Sequence, residues 1–270
     1  MLRKVLGLSV LFGILMLVGT AFATDTIRYH GSSTILRAIM YKTALEFQKQ
    51  EGVHIDLKGK STGVGIEKLL AGECDFAGGG RPLKDKEKNQ GLSEVKLFID
   101  AYAIIVNNTC PLDHLKTSDF KDIMFGNISS WGDVGGAARS KIKIYSPPQK
   151  SAHYKNLKKL LGFKELPVGS KYADMTPSVL LKVKDYPTSI GWLSYANAAQ
   201  NKSVKILEIV QDDVRVGINQ ENITLGKYPY SQGMYFYTKG EPTGNVKKLL
   251  NFIKSPKGDA IIKNAHFFLP

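Results

Sequence analysis

Three turns rich in serine, threonine and glycine stand directly before segments with the periodicity of a helix. Their candidate anion ligands are Ser32, Ser33 and Thr34 in the first turn, Ser61, Thr62 and Gly63 in the second, and Ser151 in the third. The N–H groups that start a helix have no partner within it and lie at the positive end of its dipole. A hydroxyl adds a donor and glycine lets the backbone come close, so each turn can bind a small anion. The same residue types are ordinary N-caps, and a capping role without a ligand stays open for each turn.

The segments around the first two turns predict the elements that position them. Strands are predicted at 26–30, 53–57 and 75–77, and helices from the first turn to Gln50 and over 66–72. Gly52 stops the first helix, and the GGG sequence at 78–80 is expected to end the third strand. Strand, turn and helix occur twice in this order, which predicts an α/β domain with a mainly parallel sheet.

A second α/β unit follows a long apolar segment. Residues 95–107 (VKLFIDAYAIIVN) are continuous and strand-like, so they can cross from one domain to the next. Beyond them we predict strands at 141–146, 189–195 and 228–240, and helices at 153–162, 177–184 and, in two parts broken at 256–258, 246–265. The sequence shows no internal repeat and no low-complexity linker, which favours domains joined by crossing strands.

Few other chemistries have a pattern to support them. The five histidines have no metal-ligand spacing, and HExxH, GxGxxG and P-loop motifs are all absent. His153 is the one histidine that lies in a candidate turn. The aromatic residues between Tyr228 and Tyr237 alternate partly at strand spacing, which is typical of core packing.

Composition and charge exclude several classes of protein. The 270 residues are 43% hydrophobic and 23% charged, which excludes intrinsic disorder. The net charge is +13, but most lysines are scattered as on solvated helix faces. A positive field helps an anion approach, and we expect no nucleic-acid partner for an exported protein. Cys74 and Cys110 are the two cysteines; we expect two unpaired thiols, with a disulfide between them as the alternative in an oxidising compartment.

The N-terminus has the pattern of an export signal. Arg3 and Lys4 precede an apolar segment that ends in the small-x-small sequence Ala21-Phe22-Ala23. This pattern predicts a signal peptide over 1–23, cleaved after Ala23, with an uncleaved anchor as the alternative. No cysteine follows the segment to carry a lipid, which favours a soluble periplasmic protein.

Six segments, taken together and in order, resemble the periplasmic phosphate-binding proteins that serve ABC importers. They are GSSTI (31–35), GKSTGVGIEKLLAGECDFAGGGRPLKDKE (59–87), MFGNISSWGDVGG (124–136), SIGWLSYANA (189–198), ENITLGKYPYSQGMYFYTKG (221–240) and FIKSPKGDAII (252–262). The resemblance runs over nearly the whole chain after the signal.

The resemblance implies a two-lobed α/β fold of the type II, Venus-flytrap kind with crossing hinge strands. One lobe would comprise 24–104 plus 232–270 and the other 105–231, with phosphate or a related small oxyanion in the cleft between them. Such a protein is not an enzyme and needs no cofactor or metal; we expect a monomer that docks on an inner-membrane ABC permease. Thr34, Thr62 and Ser151 match the hydroxyls of the family's three turns, with Ser33, Ser61 and Gly63 beside them.

The sequence departs from the family pattern where charge is expected. Pro147 stands at the family's arginine, Ala152 at its glycine, His153 at its threonine, Gly80 at its aspartate or serine, and Gln232 at a frequent arginine. Arg81 and Lys150 are candidates to supply the missing positive charge, and His153 is a candidate ligand. A lost charged hydrogen bond weakens binding by roughly 1.5–3 kcal/mol.

Two rival functions remain open. A sensing or interaction protein would keep the fold and lose phosphate affinity, or bind another ligand. A hydrolase would use Ser151 with His153, but residues i and i+2 at a helix start do not point at one another, and the sequence offers no evident orienting acid.

Overall fold

The computed structural model describes residues 25–136 and 140–270 and shows a mixed α/β protein. The predicted signal peptide, 1–23, lies outside the described residues. Among the residues that are described, no helix is both long and apolar enough to cross a membrane.

The described strands form two sheets. The larger sheet contains β1 (Thr26–Ser32), β2 (His54–Lys60), β3 (Phe76–Gly79), β4 (Leu92–Asn107), β6 (Lys143–Ser146), β7 (Lys171–Tyr172), β8 (Ser189–Ser194), β9 (Val204–Ile206) and β12 (Ser231–Lys239). Its order is β2-β1-β3-β12-β4-β8-β6-β7, with β9 also paired to β4. The smaller sheet contains β5 (His114–Lys116), β10 (Glu208–Gln211) and β11 (Val214–Val216), in the order β11-β10-β5.

Helices connect most of these strands. They are α1 (Ser33–Ile35), a π-helix (Leu36–Met40), α2 (Tyr41–Glu51), α3 (Thr62–Leu70), α4 (Asp85–Lys88), α5 (Thr117–Phe125), a 3-10 helix (Trp131–Val134), α6 (Ala152–Leu161), α7 (Ser178–Asp185), α8 (Tyr195–Ala198), α9 (Gln220–Thr224), α10 (Gly244–Ile253) and α11 (Pro256–Asn264). The predicted first helix therefore contains a π-helical segment. The predicted two-part helix near the C-terminus is present as α10 and α11. The break lies at 254–255, and Pro256 starts α11 because the first turn of a helix tolerates proline.

Strand β4 joins the two halves of the large sheet. Residues Leu92–Ala101 of β4 pair antiparallel with β12, and Tyr102–Val106 pair antiparallel with β8. The strand is buried almost throughout its second half, as expected for a strand covered on both faces. The prediction of a long continuous strand is thus confirmed, and its crossing between two domains stays a prediction.

Two large hydrophobic clusters lie on either side of this crossing. One is built mainly from residues before Phe98 and after Met234, and the other mainly from residues between Ile99 and Tyr230. Near the C-terminus, Phe267 packs in the first cluster and Phe268 in the second. The final residues therefore contact both clusters, and the lobe boundaries inferred from the resemblance stay a prediction.

The GGG sequence does not end β3 where we expected. Gly78 and Gly79 are paired in the strand, and only Gly80 lies beyond it. A Cβ at Gly78 would lie 2.5 Å from the Tyr29 hydroxyl oxygen, and one at Gly79 would overlap Tyr237. The glycines are therefore packing positions at which two buried tyrosines cross the strand.

The packing of α3 on β1 is testable at a glycine. A Cβ at Gly65 would lie 2.8 Å from both Gly31 Cα and His30 O, which are backbone atoms and cannot move aside easily. We expect Gly65→Ala to lower the free energy of unfolding by about 1–3 kcal/mol in a denaturant titration. Gly63→Ala is the matched control because its Cβ meets open space in the same helix. Equal stabilities of the two variants would contradict this packing.

Candidate functional site

The first two turns lie together at one edge of the sheet. Strand β1 pairs parallel with both β2 and β3, so the carboxyl ends of all three strands point the same way. Helix α1 starts directly after β1, and α3 starts directly after β2. The N–H of Gly80, just past β3, donates to Thr62 Oγ1 at 3.2 Å. The sheet order thus brings the starts of two helices and the end of a third strand to one place.

The first turn is fixed by two serines. Ser32 Oγ accepts the Thr34 N–H at 3.2 Å and caps the helix. Ser33 Oγ donates to the Lys60 carbonyl at 3.0 Å, which ties the first turn to the strand before the second. Ser33 therefore positions the turn, whereas Thr34 is half-buried and its side chain is the candidate donor.

The second turn exposes backbone donors. Ser61 is the N-cap of α3, and its Oγ accepts the Val64 N–H at 3.4 Å. The N–H groups of Thr62 and Gly63 belong to the first turn of the helix and have no partner within it. Gly63 meets nothing within 4 Å of a Cβ position, so its backbone is accessible.

The third turn has the same construction. Ser151 is the N-cap of α6, and its Oγ accepts the Tyr154 N–H at 3.1 Å. One turn further on, the Asn156 amide donates to the Tyr102 hydroxyl oxygen at 3.1 Å and to Gln232 Oε1. Within the described residues no hydrogen bond joins Ser151 to His153, so the pair does not have the geometry of a nucleophile and its base.

Gln232 connects the third turn to the other two. Its amide oxygen meets Asn156 of α6, and its amide nitrogen would lie 3.4 Å from a Cβ at Gly80. Gly80 in turn donates to Thr62. The residues that depart from the family pattern at 80 and 232 are therefore neighbours, and they link Thr62 of α3 to Asn156 of α6.

A buried acidic residue lies next to this site that the sequence analysis missed. Asp100 of β4 is fully buried; its Oδ1 accepts the Ser194 hydroxyl at 2.6 Å, and its Oδ2 has no hydrogen-bond partner. Burial raises the pKa of this carboxyl to about 7, and the Ser194 hydrogen bond opposes the rise. The signal was present in the sequence, because Asp100 is the single acidic residue in the apolar segment 97–106.

His153 faces that carboxyl. Its Nε2 lies 3.8 Å from Asp100 Oδ2, is buried and has no hydrogen-bond partner. Burial, with a smaller contribution from the positive charge of Arg37, lowers the pKa of His153 to about 4. The imidazole is therefore neutral at physiological pH in the unliganded protein.

Arg81 does not offer a free positive charge. Its two terminal nitrogens donate to the two carboxylate oxygens of Glu87 at 2.7 and 2.8 Å. The hydrogen bond from Arg81 is the largest cause that lowers the pKa of Glu87, to about 2. We therefore revise the sequence-based role of Arg81: this bidentate pair neutralises the guanidinium and makes it a support for the 80–94 segment.

Two further expectations concern cysteine and metal chemistry. Cys74 and Cys110 are both free and buried, which confirms the prediction of unpaired thiols. They belong to different hydrophobic clusters. Across residues 25–136 and 140–270, no group of three or more histidine, cysteine or acidic side chains is arranged to hold a metal ion.

Comparison with known proteins gives the class to which this fold and site belong. The family model described as a PBP superfamily domain matches residues 18–257, so the chain belongs to that superfamily. The phosphate-binding protein PstS of Staphylococcus saprophyticus is 31% identical over 236 residues, which cover 83% of this chain and 73% of the relative. Within the superfamily, the chain therefore belongs to the phosphate-binding proteins of ABC transporters, a family of binding proteins and not of enzymes.

Solved structures agree with this assignment. The chain is similar to a putative phosphate ABC transporter substrate-binding protein with bound phosphate from Clostridium perfringens, with a TM-score of 0.74 and 26% identity over 91% of this chain and all of that one. An ABC-type phosphate transport receptor from Vibrio cholerae shares the fold, with a TM-score of 0.79 and 22% identity over 91% of this chain and all of that one. The expected periplasmic-binding-protein fold is thereby confirmed.

The raised pKa of Asp100 predicts how stability depends on pH. The ordinary carboxyl pKa is 3.8, and the folded protein raises it to about 7. The stability linked to this proton is complete below the ordinary pKa and is lost as pH rises from there through about 7. Between about pH 5 and about pH 7, we expect the free energy of unfolding of wild type to fall relative to that of Asp100→Asn by about 1.4 kcal/mol for each pH unit. The difference between the two should level off above that range.

Thermal or urea unfolding across that range measures the effect. Asp174→Asn removes an exposed carboxyl and should follow the wild-type profile. Parallel profiles for wild type and Asp100→Asn would show that the buried carboxyl does not titrate near neutrality.

Proposed function

We propose that this protein binds phosphate, or a related small oxyanion, in a cleft between two lobes and delivers it to an inner-membrane ABC permease. The observation that carries the proposal is the link from Thr62 through Gly80 and Gln232 to Asn156, which brings α3 and α6 close together. The phosphate-binding names of its relatives support the choice of ligand.

The hydroxyls are arranged to donate to an anion. Thr62 Oγ1 already accepts the Gly80 N–H, and Ser151 Oγ already accepts the Tyr154 N–H. Each oxygen is therefore held in place by a backbone donor while its own hydrogen stays free for a ligand. Thr34 supplies a third hydroxyl, and the first-turn N–H groups of Thr62 and Gly63 add backbone donors. Ser33 and Ser61 hold these donors in position.

This arrangement spreads the ligand's charge over dipoles and does not rely on a free guanidinium. The positive ends of α3 and α6 would both face the anion, and dipoles that are already oriented need little reorganisation when the anion binds. Closure of the two lobes, 24–104 plus 232–270 and 105–231, would exclude water and strengthen each hydrogen bond.

The remaining expectations complete the proposal. The protein would be exported with its signal peptide cleaved after Ala23, would act in the periplasm as a monomer, and would need no cofactor and no nucleic-acid partner. The excess of lysine and arginine would speed the approach of an anion.

A sensing protein that has lost phosphate affinity is the second candidate. It is favoured by Pro147, Ala152 and Gly80, which stand where the family pattern places arginine, glycine and an acidic or hydroxyl residue. Calorimetry separates the two candidates. Heat and a melting shift with phosphate support the binding protein, and the absence of both at millimolar phosphate supports the sensor.

Ser151→Ala tests the third turn. We expect phosphate affinity to fall about tenfold or more, because a hydrogen bond to a charged group contributes about 1.5–3 kcal/mol. Ser255→Ala is the matched control, since Ser255 caps α11 by the same kind of bond to the Gly258 N–H and the helix lies in the C-terminal segment. Both variants should lose about 1 kcal/mol of stability from the cap. Equal phosphate dissociation constants for the two variants would remove Ser151 from the site.

Arg81→Gln tests the revised role of Arg81. We expect the phosphate dissociation constant to stay within about twofold of wild type, because the guanidinium is already paired with Glu87. Stability should fall by about 1–3 kcal/mol, since Glu87 is mostly buried and would lose its charged partner. A loss of phosphate affinity of tenfold or more, with unchanged stability, would show that Arg81 binds the ligand directly.

A further inference from the structure

The Asp100 and His153 side chains leave two buried polar atoms facing each other without a hydrogen bond. Asp100 Oδ2 and His153 Nε2 are 3.8 Å apart, which is too long for a direct bond, and neither has another partner. Buried polar groups are almost always satisfied, so an unsatisfied pair needs an explanation. Other atoms of both side chains are fixed, because Ser194 holds Asp100 Oδ1 and Tyr102 packs edge-on against the imidazole at 5.7 Å.

The pair lies on the face of the sheet that carries the proposed phosphate site. Asp100 is paired directly across from Gln232 in the β4–β12 register, and side chains of directly opposed residues share one face. Gln232 contacts both Asn156 and the position of Gly80. His153 lies in the first turn of α6, three residues before Asn156, so both side chains lie on the same side of the helix.

His153 presents its two nitrogens to different surroundings. Nε2 is buried against Asp100, and the side chain keeps 13% of its surface exposed. Nδ1 is not among the buried atoms without a partner, and it is the ring nitrogen that does not face Asp100. Ser151 and the free N–H groups of the first turn lie at the same helix end.

From this geometry we infer that Asp100 and His153 form a proton-holding pair that supplies, when the oxyanion binds, the cation that the third turn lacks. The inference rests on the proposed function. His153 would be the ligand residue, with Nδ1–H donating to the anion, and Asp100 would be a positioning residue that acts through His153.

The proposed step moves one proton from Asp100 to His153 and exchanges none with solvent. In the unliganded protein, Asp100 Oδ2 carries a proton facing the Nε2 lone pair, and the ring proton lies on Nδ1. When the anion binds, the Oδ2–H bond breaks and an Nε2–H bond forms, which leaves a carboxylate and an imidazolium. The net charge of the pair does not change. The anion now accepts a hydrogen bond from the positively charged His153 ring, and the Asp100 carboxylate lies on the other side of that ring.

The titration of the two groups fits this exchange. The pKa of Asp100 is raised to about 7 and that of His153 is lowered to about 4, so below neutral pH the proton lies on the carboxyl. The positive charge of Arg37, in the π-helix, disfavours the charged form of the imidazole until an anion lies nearby. The other groups that face the pair are neutral, namely Ser194 from β8, Gln232 from β12, Tyr102 from β4 and Asn156 from α6.

Above the pKa of Asp100 the pair has lost its proton and carries a negative charge. Binding of hydrogen phosphate at pH 8 must then take up close to one proton from solution. In Asp100→Asn the amide cannot hold that proton, and the uptake disappears. Calorimetry of inorganic phosphate binding at pH 8, in buffers of different ionisation enthalpy, measures the number directly.

Two further measurements address His153. ¹⁵N NMR of histidine-labelled protein at pH 7 should show both ring nitrogens of His153 protonated with phosphate and only one without it. His153→Gln should weaken phosphate binding about 10- to 100-fold, the effect of a lost charge-assisted hydrogen bond. His54→Gln, on the exposed side of β2, is the control and should bind within twofold of wild type.

The outcomes are distinguishable from a failure of the proposed function. If wild type shows no heat with phosphate, the proposed function fails, and this inference fails with it. If wild type binds and Asp100→Asn takes up the same number of protons at pH 8, the pair does not hold the proton and only this inference is overturned. A neutral His153 ring in the phosphate complex overturns it equally, whatever the stability of the Asp100 variant.

Discussion

The architecture depends on backbone N–H groups that have no partner within their own helices. The first turns of α3 and α6 each leave such groups, and a serine cap satisfies one of them at each helix. These two helices, far apart in sequence, are linked through Gly80 and Gln232 because the sheet order places β3 beside β12 and β12 beside β4. The parallel pairing of β1, β2 and β3 sets the first two turns at one edge, and the antiparallel β12 brings Gln232 between them and α6. The hydroxyls of the turns, Gly80 and the buried Asp100 are close together because of this sheet order.

Burial and pairing handle much of the charge near the site, and Arg37 adds a positive charge close enough to lower the pKa of His153. Arg81, the basic residue that follows β3 and Gly80, is paired with Glu87, and the family's arginine position holds Pro147. Oriented dipoles can carry part of an anion's charge in such a site. The buried carboxyl of Asp100 is costly in such surroundings unless a proton or a partner neutralises it. Its presence on the crossing strand is therefore a departure from simple packing, and departures of this kind cluster at functional sites.

The crossing strand also explains how one residue can serve both halves of the molecule. Asp100 lies at the point where β4 changes partners from β12 to β8, so it contacts Ser194 of β8 while standing opposite Gln232 of β12. The C-terminal residues cross at the same level, since Ile99 and Phe268 exchange both backbone hydrogen bonds.

The sequence by itself determined the local elements and the residue types that could bind an anion. Strand and helix periodicity, the serine caps before α3 and α6, and the apolar course of β4 are local properties, and local hydrogen bonding and side-chain spacing fix them. The family resemblance added the fold and the order of the three turns. Tertiary structure alone decided which side chains meet. It pairs Arg81 with Glu87 and places Gln232 beside Gly80. It also places Asp100 Oδ2 3.8 Å from His153 Nε2, although the two residues are 53 positions apart in the chain. The reason is physical: strand register and sheet order place residues that are distant in sequence on a common face, and no local pattern encodes that register.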